Sequence, residues 1–433
     1  MITPYPLFPH QPPAIEYLRR NRRALLTDEM GLGKTVEALM ALPPDAAAIV
    51  VCPASLKGNW QAEAATWRPD LKAEALSGRR SFRWPAIGEL LIVNYAILPL
   101  LAGAHWDLCH PIIAIVDEAH YLKSPKSQRS VKWGKIANLI LSEGGATWLM
   151  TGTPLVTSPA DLWGVLEAAN LGDDAYGSFW DFAELWGVQR GRFGLEWNPR
   201  KIKTGAQDGF DACSFGRKRI DVLKDLPPKR WRTLFVKVPY SCGRLDKGAL
   251  DEVRMCSDAP NAIERLKALG KLARARKEIA LGKCVAAIKL IDDIIEGGGA
   301  PLVVFSAHKD PISYLGERSG WECITGGVSP KERTRIVKAF QAGELEGIAG
   351  TIGAMGTGLT LTRSHRMIFI DLDWSPAINA QAEDRINRIG QANACEYIRL
   401  VADCEVDKII HAAITRKEQM IYHVDEARKA NPA

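Results

Sequence analysis

The sequence lacks the features that would assign the chain to a membrane or to secretion. Its longest apolar runs are strand-length, such as residues 46–51, and none approaches the roughly 18 residues of a membrane span. Residues 1–6 (MITPYP) contain no apolar core of a secretory signal. The sequence therefore predicts a soluble cytoplasmic protein with no membrane partner, associated with the nucleoid if its source is a prokaryote or a phage.

Paired cysteine motifs are also missing. No two of the nine cysteines are separated by two residues, which excludes the spacing of zinc ribbons and of thioredoxin-like redox sites. An odd number of cysteines, several of them in apolar surroundings, is typical of buried thiols in a reducing compartment. We therefore expect neither a structural metal nor a disulfide framework.

A large excess of charge of one sign is absent as well. The chain has 56 Lys+Arg and 50 Asp+Glu, which gives 56 − 50 = +6. A protein that coats DNA over its whole surface would carry far more positive charge, so any polyanion would bind in a local groove. The apolar fraction of 47% and the charged fraction of 24% exclude global disorder. At about 150 residues per domain, 433 residues predict two or three domains.

Short, continuous apolar segments alternate with helix-period segments, and this pattern occurs twice. Such segments are typical of parallel strands that are buried on both faces, so each block is predicted to be α/β. One block runs from the start to about residue 155, and the other from about 300 to about 415. A mostly helical region lies between them and includes a basic amphipathic helix at 261–280. The predicted strands are 48–52, 90–94, 112–116, 147–150, 302–306, 367–370 and 397–401.

A phosphate-binding loop is predicted at residues 28–35 (DEMGLGKT), between the apolar pair at 25–26 and a helical run. Gly31 and Gly33 allow backbone N–H groups to turn onto phosphate oxygens. Lys34 can reach the β- and γ-phosphates, and the Thr35 hydroxyl can bind Mg²⁺. Asp28 stands where the strict motif has its first glycine, so the alternative is a helix start with a glycine-rich entry.

Two adjacent carboxylates follow the apolar strand at 112–116. Asp117 at the strand end is suited to hold Mg²⁺, and Glu118 to orient the attacking water. His120 is either a coupling residue or a polar cap. The next strand runs into Thr151 and Thr153, whose hydroxyls can link the nucleotide site to its surroundings. Alone, the carboxylate pair would equally fit a solvated loop.

The second block carries an arginine-rich segment at 381–391 (QAEDRINRIGQ). Helical spacing places Gln381, Arg385 and Arg388 on one face. Guanidinium groups on such a face suit contact with a triphosphate. An exposed, salt-bridged helix would have the same sequence pattern. A glycine-rich loop is predicted at 350–360, and a helix is predicted to begin at Ser329 and Pro330.

Together these segments resemble the superfamily-two helicase-like ATPases, and within them the Swi/Snf-related family. Gln11 in the run 8–11 resembles the adenine-reading Q motif, residues 28–35 resemble motif I, and residues 117–120 (DEAH) resemble motif II. Further similarity lies at 53–60, 151–154, 218–229, 305–308, 356–358, 373–376 and 381–391. Thr360 replaces an asparagine of many remodellers, so the chain looks most similar to the distant branch that includes annealing helicases.

The resemblance implies two RecA-like lobes, residues 1–233 with a helical extension for ATP binding and residues 234–433 for the helicase lobe. It implies a monomeric motor that uses ATP and Mg²⁺ to translocate along duplex DNA, remodelling protein–DNA complexes or forks, with protein partners unidentified. It assigns residues to four roles: catalysis (Lys34, Asp117, Glu118, Arg385, Arg388), ATP binding (Gln11, Met30, Gly31, Leu32, Gly33, Lys34, Thr35, Gly358, Gln381), Mg²⁺ binding (Thr35, Asp117) and DNA contact (Ser55, Thr325, Gly326, Thr351).

Two alternatives remain open from the sequence. One is a helicase that separates DNA or RNA strands. The other is a nucleotide-gated clamp whose ATPase has decayed, which the intact lysine, carboxylates and arginines disfavour. Basic clusters that could serve a DNA surface, or simply be solvated, lie at 19–23, 217–219 and 271–277.

Overall fold

The chain forms two compact units, Met1–Lys224 and Asp225–Ala433. The computed structural model describes residues 5–78, 81–100, 108–153, 158–191, 194–198, 201–223, 226–257, 266, 269–299, 301–356 and 359–427. In these ranges no helix is both long and apolar enough to cross a bilayer.

The first unit is built on a six-stranded sheet in which every pairing is parallel. Its spatial order is β1-β6-β5-β2-β4-β3. The strands are β1 (Arg23–Leu26), β2 (Ala48–Cys52), β3 (Lys72–Ala75), β4 (Glu89–Asn94), β5 (Ile113–Asp117) and β6 (Ala146–Met150).

Helices cover this sheet, and a further helical region follows it. The region also holds an antiparallel hairpin, β7 (Val188–Gly191) with β8 (Gly194–Trp197). The helices of the first unit are α1 (Gln11–Arg20), α2 (Lys34–Ala41), α3 (Lys57–Trp67), α4 (Gln128–Ser142), α5 (Pro159–Ala168), α6 (Gly172–Tyr176), α7 (Phe179–Trp186), α8 (Asp208–Cys213) and α9 (Arg219–Val222). Single 3-10 turns lie at Ala54–Leu56 and Ala119–Leu122.

The second unit has its own six-stranded parallel sheet, in the order β11-β12-β10-β13-β14-β9. The strands are β9 (Lys229–Val236), β10 (Leu302–Ser306), β11 (Trp321–Ile324), β12 (Gly347–Thr351), β13 (Arg366–Phe369) and β14 (Cys395–Ala402). The helices are α10 (Lys247–Ser257), α11 (Gly270–Gly282), α12 (Cys284–Glu296), α13 (Lys309–Leu315), α14 (Pro330–Ala342), α15 (Ile352–Met355), α16 (Pro376–Glu383) and α17 (Glu405–Ala427).

The central strands of both sheets are buried on both faces, as β2 and β10 illustrate. This burial explains why their sequences are continuous rather than alternating. Because parallel strands share their direction, all their carboxyl ends lie along one edge of a sheet. In such sheets ligands bind at that edge. The prediction of two α/β lobes with parallel sheets is confirmed.

Four details differ from the sequence prediction. The division between units falls before residue 233, because β9 pairs with β14 of the second sheet. The glycine-rich segment 350–360 is not a loop at its start, since it begins with the end of β12 and continues as α15. The basic helix predicted at 261–280 is described from residue 270 as α11, which continues to Gly282. The helix predicted at 381–391 ends at Glu383.

Candidate nucleotide site

The phosphate-binding loop connects β1 to α2 at the carboxyl edge of the first sheet. Gly31 and Gly33 have φ angles of 90° and 92°, a left-handed conformation that glycine adopts without strain. Gly33 directly precedes the first turn of α2, whose N–H groups are free of intrahelical partners in any helix. The ammonium of Lys34 donates to the carbonyls of Asp28 at 2.5 Å and Glu29 at 3.3 Å. Lys34 is therefore folded against its own loop, with Met30 and Leu32 in the loop's interior.

Two close approaches define the walls of this loop. A Cβ on Gly33 would lie 2.5 Å from Nε2 of Gln11, so Gln11 lies against the loop. A Cβ on Gly152 would lie 2.5 Å from Met30 Cγ and 3.2 Å from the Lys34 ammonium. The structure thus brings the predicted adenine-reading glutamine and the 151–153 segment to the phosphate loop, and only glycine fits at 152.

The segment 215–219 braces the loop from the other side. Its backbone joins β1 as a single parallel bridge between Leu26 and Phe215. The Arg217 guanidinium contacts both Asp28 and Glu37, whose carboxylates are fully buried. Since one cation serves two buried carboxylates, burial and the charge of Asp28 raise the pKa of Glu37 to about 8, against the opposing effect of Arg217. Asp28 is therefore a structural anchor of the loop.

The acidic pair lies where β5 ends, two strands from β1 in the sheet. The Asp117 carboxylate accepts the Glu118 N–H at Oδ1 (2.9 Å) and the Trp60 indole N–H at Oδ2 (2.8 Å). Burial and the neighbouring Glu118 raise the pKa of Asp117 to about 6, while Trp60 and Lys34 act in the opposite direction. In the sheet Asp117 pairs with Met150, and a Cβ on Gly152, two residues further along, would lie 3.2 Å from the Lys34 ammonium. The structure thus brings the predicted lysine and carboxylates to the same sheet edge.

His120 joins the acidic pair to the 151–153 segment. Its Nδ1 lies 3.3 Å from Glu118 Oε2 and 3.3 Å from Thr151 Oγ1. Thr151 Oγ1 also accepts the Thr153 N–H at 3.2 Å. Of the two readings open from the sequence, these contacts favour a coupling residue over a polar cap.

The donor chemistry here fits a magnesium nucleotide. Mg²⁺ retains several waters and takes one or two protein oxygens together with phosphate oxygens. The Asp117 carboxylate and the Thr35 hydroxyl are donors of that kind, and each Asp117 oxygen has a second lone pair beyond the hydrogen bond it accepts. Among the described residues no cluster of three or more His, Cys, Asp or Glu could hold a metal by protein ligands alone.

In the second unit, Arg385 and Arg388 lie beyond the end of α16. The backbone there tightens, with the Arg385 N–H bonded to the Ala382 carbonyl at 3.0 Å. The Arg385 Nε–H donates to the Gln381 carbonyl at 2.9 Å, and the Arg388 Nε–H to the Asp384 carbonyl at 2.9 Å. These guanidinium groups satisfy carbonyls that a terminating helix leaves without partners. The prediction that Gln381, Arg385 and Arg388 share one helical face is therefore wrong. The two arginines still lie near each other, because they contact neighbouring residues.

Both arginines also contact the end of the glycine-rich segment. Nη1 of Arg385 donates to the Leu359 carbonyl at 3.3 Å, and Nη1 of Arg388 to the Thr360 hydroxyl at 3.1 Å. Gln381 is buried in α16. Gly358, predicted to contact the nucleotide, lies outside the described residues.

The residues predicted to contact DNA lie at the carboxyl edges of the two sheets. Ser55 is exposed in the 3-10 turn after β2. In the second unit Thr325 and Gly326 follow β11, and Thr351 ends β12. A Cβ on Gly326 would meet no atom within 4 Å, so that turn is open. Their role in DNA binding remains a prediction.

Several arginines of the basic clusters serve internal roles instead. Arg19 and Arg22 donate to backbone carbonyls of their own unit. Arg276 is buried against the Trp374 ring, with its charged carbon 4.2 Å from the ring centroid. Together with Arg217, these side chains are held within their units, which reduces the basic surface that the sequence offers.

Two residues that hydrogen-bond to the acidic pair could not be identified from the sequence. Trp60 appears there as part of a resemblance, without a role, and Tyr95 does not appear at all. The Tyr95 hydroxyl donates to the carbonyl of Asp117 at 2.7 Å and lies 3.2 Å from the carbonyl of Glu118. Their proximity to strand ends at the same sheet edge is the only clue, since Tyr95 directly follows β4.

Two family models match the chain. The SNF2-related domain matches residues 10–239, and the helicase conserved C-terminal domain matches residues 286–390. Because the first match alone spans more than half of the 433 residues, the chain belongs to the SNF2-related family, a class of helicase-like ATPases. The resemblance stated from the motifs is confirmed.

Known relatives match over nearly the whole chain. The human DNA annealing helicase and endonuclease ZRANB3 is 28% identical over 98% of this chain and 41% of its own length. The SWI/SNF-related matrix-associated actin-dependent regulator of chromatin subfamily A-like protein 1 of Xenopus tropicalis is 26% identical over 96% of this chain and 44% of its own. The chain thus spans about two fifths of the length of these relatives.

Among solved structures, the Sulfolobus solfataricus SWI2/SNF2 ATPase core in complex with dsDNA aligns with a TM-score of 0.43 and 20% identity. The alignment covers 92% of this chain and 88% of that one.

Proposed function

We propose that this chain is a DNA-dependent ATPase that uses ATP hydrolysis to translocate along double-stranded DNA and so remodels protein–DNA complexes or DNA forks. The observation that carries the proposal is the convergence of Lys34, Asp117 and Glu118 at one sheet edge of the first unit. Membership of the SNF2-related family supports the same reaction.

In this proposal each residue has one task. Lys34 and the loop N–H groups bind the phosphates, and Gln11 reads the base beside Gly33. Bound Mg²⁺, held by Thr35 and Asp117, would neutralise charge on the phosphates. Glu118 orients the attacking water, with His120 fixing its carboxylate. Arg385 and Arg388 supply positive charge to the transferring phosphoryl group.

DNA binding in the proposal depends on phosphate contacts. Such contacts carry little sequence preference, and log affinity falls linearly with log salt. A chain whose net charge is only +6, with several arginines committed internally, is expected to make few of them. A modest salt slope would let the motor release each phosphate that it grips.

The first experiment measures ATP hydrolysis against duplex, single-stranded and forked DNA and against RNA. The proposal expects the strongest stimulation by duplex or forked DNA. Stimulation by RNA alone would refute DNA as the nucleic acid on which the protein acts. Displacement of a triplex-forming strand without displacement of a duplex strand would separate translocation from the alternative, strand separation.

The second experiment tests the site itself. Lys34→Ala and Glu118→Gln should abolish DNA-stimulated hydrolysis while circular dichroism shows a retained fold. Lys135→Ala, an exposed lysine on α4, serves as the matched control and should turn over like the wild type. Wild-type turnover in Lys34→Ala or Glu118→Gln would refute the assignment.

A further inference from the structure

The indole of Trp60 is fully buried and makes its one hydrogen bond to a site residue. Trp60 lies on α3 and is 0% exposed, within the core cluster that packs against the sheet. Its Nε1–H donates to Asp117 Oδ2 at 2.8 Å across 57 residues of sequence. An indole N–H is a donor only, so this contact fixes one oxygen of the carboxylate in a chosen direction.

Tyr95 acts on the backbone of the same pair. Its hydroxyl lies 2.7 Å from the Asp117 carbonyl and 3.2 Å from the Glu118 carbonyl, which are the carbonyls on either side of the Glu118 Cα. Glu118 has φ 55° and ψ 51°, a left-handed conformation that is rare for a residue with a side chain. Such conformations persist where the surroundings hold them.

The tyrosine ring is itself held in place. Tyr95 is buried and stacks on Tyr121 with ring centroids 5.5 Å apart. Because Tyr121 belongs to the 3-10 turn that starts after Glu118, the stack ties the turn to the end of β4. The two aromatic side chains therefore approach the acidic pair separately, Trp60 at a carboxylate and Tyr95 at the main chain.

We propose that Trp60 and Tyr95 are positioning residues for the ATPase reaction, Trp60 for the carboxylate plane of Asp117 and Tyr95 for the left-handed backbone of Glu118. The inference rests on the proposed function, because it assigns supporting roles around the same site. The two residues have different effects. By orienting the Asp117 carboxylate, Trp60 governs how tightly Mg²⁺ is held with the nucleotide. By holding the Glu118 backbone, Tyr95 governs how well the attacking water is oriented.

The division predicts different kinetic signatures. Removing a group that orients a metal ligand typically lowers metal affinity or activity by about 10- to 100-fold. Trp60→Phe keeps an aromatic ring but loses the donor, so it should weaken ADP binding in the presence of Mg²⁺ by about tenfold or more and leave Mg²⁺-free ADP binding unchanged. Tyr95→Phe keeps the ring and its stack, so it should lower kcat by about tenfold or more with Mg²⁺–ADP affinity unchanged.

The chain offers a matched control for each variant. Trp133 is also fully buried, and its Nε1–H donates at 2.7 Å to the carbonyl of Ala168, away from the site. Tyr176 donates its hydroxyl at 2.7 Å to the carbonyl of Ala206. Trp133→Phe and Tyr176→Phe remove donors of the same kinds away from the site, so neither should change Mg²⁺ dependence or kcat. The Tyr176 hydroxyl also accepts the Trp186 indole N–H and the Phe210 N–H, so Tyr176→Phe should lose at least as much Tm as Tyr95→Phe.

The experiment measures ADP binding to the full chain by calorimetry, with and without Mg²⁺, together with kcat and KM for ATP. A Trp60→Phe protein whose Mg²⁺-dependent gain in ADP affinity equals that of Trp133→Phe would overturn the role of Trp60. A Tyr95→Phe protein with wild-type kcat would overturn the role of Tyr95. If Trp60→Phe does not fold, the role of Trp60 is withdrawn and Tyr95→Phe decides the role of Tyr95.

Failure of the proposed function has a separate signature. If the wild-type chain itself shows no Mg²⁺-dependent ADP binding and no ATP turnover, the function is refuted. If the wild type shows both and the variants match their controls, only the positioning roles are refuted.

Discussion

Arg217 binds the buried carboxylate of Asp28 although 189 residues separate them in the chain, with Nε 3.1 Å from Oδ1 and the backbone N–H 2.8 Å from the same oxygen. This contact explains why an acidic residue stands where a strict phosphate loop has glycine. The loop is closed by a strand-like segment from the end of the first unit, and Asp28 is the group to which that segment is attached.

The Arg217 brace should contribute strongly to stability. Arg217→Ala would leave the Asp28 carboxylate buried without its cation, and breaking such a pair costs about 3–5 kcal/mol. We expect a large drop in the free energy of unfolding by denaturant titration, and weaker ADP binding because the loop loses its anchor.

The control for this prediction is Arg23→Ala at the start of β1. Arg23 pairs with Asp174, and both side chains are nearly half exposed. Such pairs contribute about 1 kcal/mol or less. Equal losses of unfolding free energy in Arg217→Ala and Arg23→Ala would show that the buried Arg217 contacts stabilise the fold no more than an exposed ion pair does.

Glu37 should make stability depend on pH. Folding raises its pKa from an ordinary value of 4.5 to about 8, so between these values the folded protein holds a proton that the unfolded chain has released. The stability contributed by this protonated carboxyl is therefore complete below pH 4.5 and is lost as the pH rises through 8. Tm of the wild type relative to Glu37→Gln should fall from pH 5 to pH 9. A constant difference across that range would contradict the prediction.

Gly152 should be intolerant of a side chain. A Cβ there would lie 2.5 Å from Met30 Cγ and 3.1 Å from the Met30 N, so the phosphate loop would have to shift. Since a misplacement of about 1 Å can cost about 100-fold in rate, Gly152→Ala should lower kcat/KM for ATP by that order. Steady-state kinetics at fixed DNA concentration would measure it.

Gly134 on α4 provides the comparison, because a Cβ there would meet no atom within 4 Å. Gly134→Ala should leave turnover unchanged and stabilise the helix by up to about 1 kcal/mol. Full activity of Gly152→Ala would mean that the 151–153 segment does not restrict the loop.

Replacing the two arginines of the second unit should affect Tm and ATP turnover differently. Arg385 is buried and holds two carbonyls, so Arg385→Ala should lower Tm as well as turnover. Arg388 is less buried, so Arg388→Ala should retain its fold and lose ATP turnover by about 10³-fold, the effect of removing a phosphoryl-stabilising arginine.

Arg335→Ala, at an exposed arginine of α14, controls for loss of positive charge in the same unit. Its turnover should equal that of the wild type. Undiminished turnover in Arg388→Ala would remove that residue from the proposed mechanism.

Strands with a strong local pattern were predictable. Continuous apolar runs identified β2, β4, β5 and β10 within a residue or two, because a strand buried on both faces has no polar positions. The helix start at Ser329 is also confirmed, since its side chain accepts the Glu332 N–H at 3.3 Å. Local chemistry alone decides such features.

Strands with a weak local pattern were not predictable. β12 (GIAGT) is not among the predicted strands, and its last two residues fall in the predicted glycine-rich loop at 350–360. A Cβ on Gly347 would lie 2.3 Å from the Trp321 ring. Its glycines are therefore required by packing against β11, which the local sequence does not reveal. The end of α16 at Glu383 is similar, because arginine hydrogen bonds to carbonyls replace the next helical turn.

The sequence by itself determined the phosphate loop, the acidic pair, the arginine segment and the family, because each is a short run whose residue types and spacing carry the chemistry. Only the tertiary structure decided what holds them. Trp60 reaches Asp117 across 57 residues, Tyr95 reaches it across 22, and Arg217 reaches Asp28 across 189. Such partners are selected by the order of strands in the sheet, which brings distant segments to one edge, and a linear pattern does not encode that proximity.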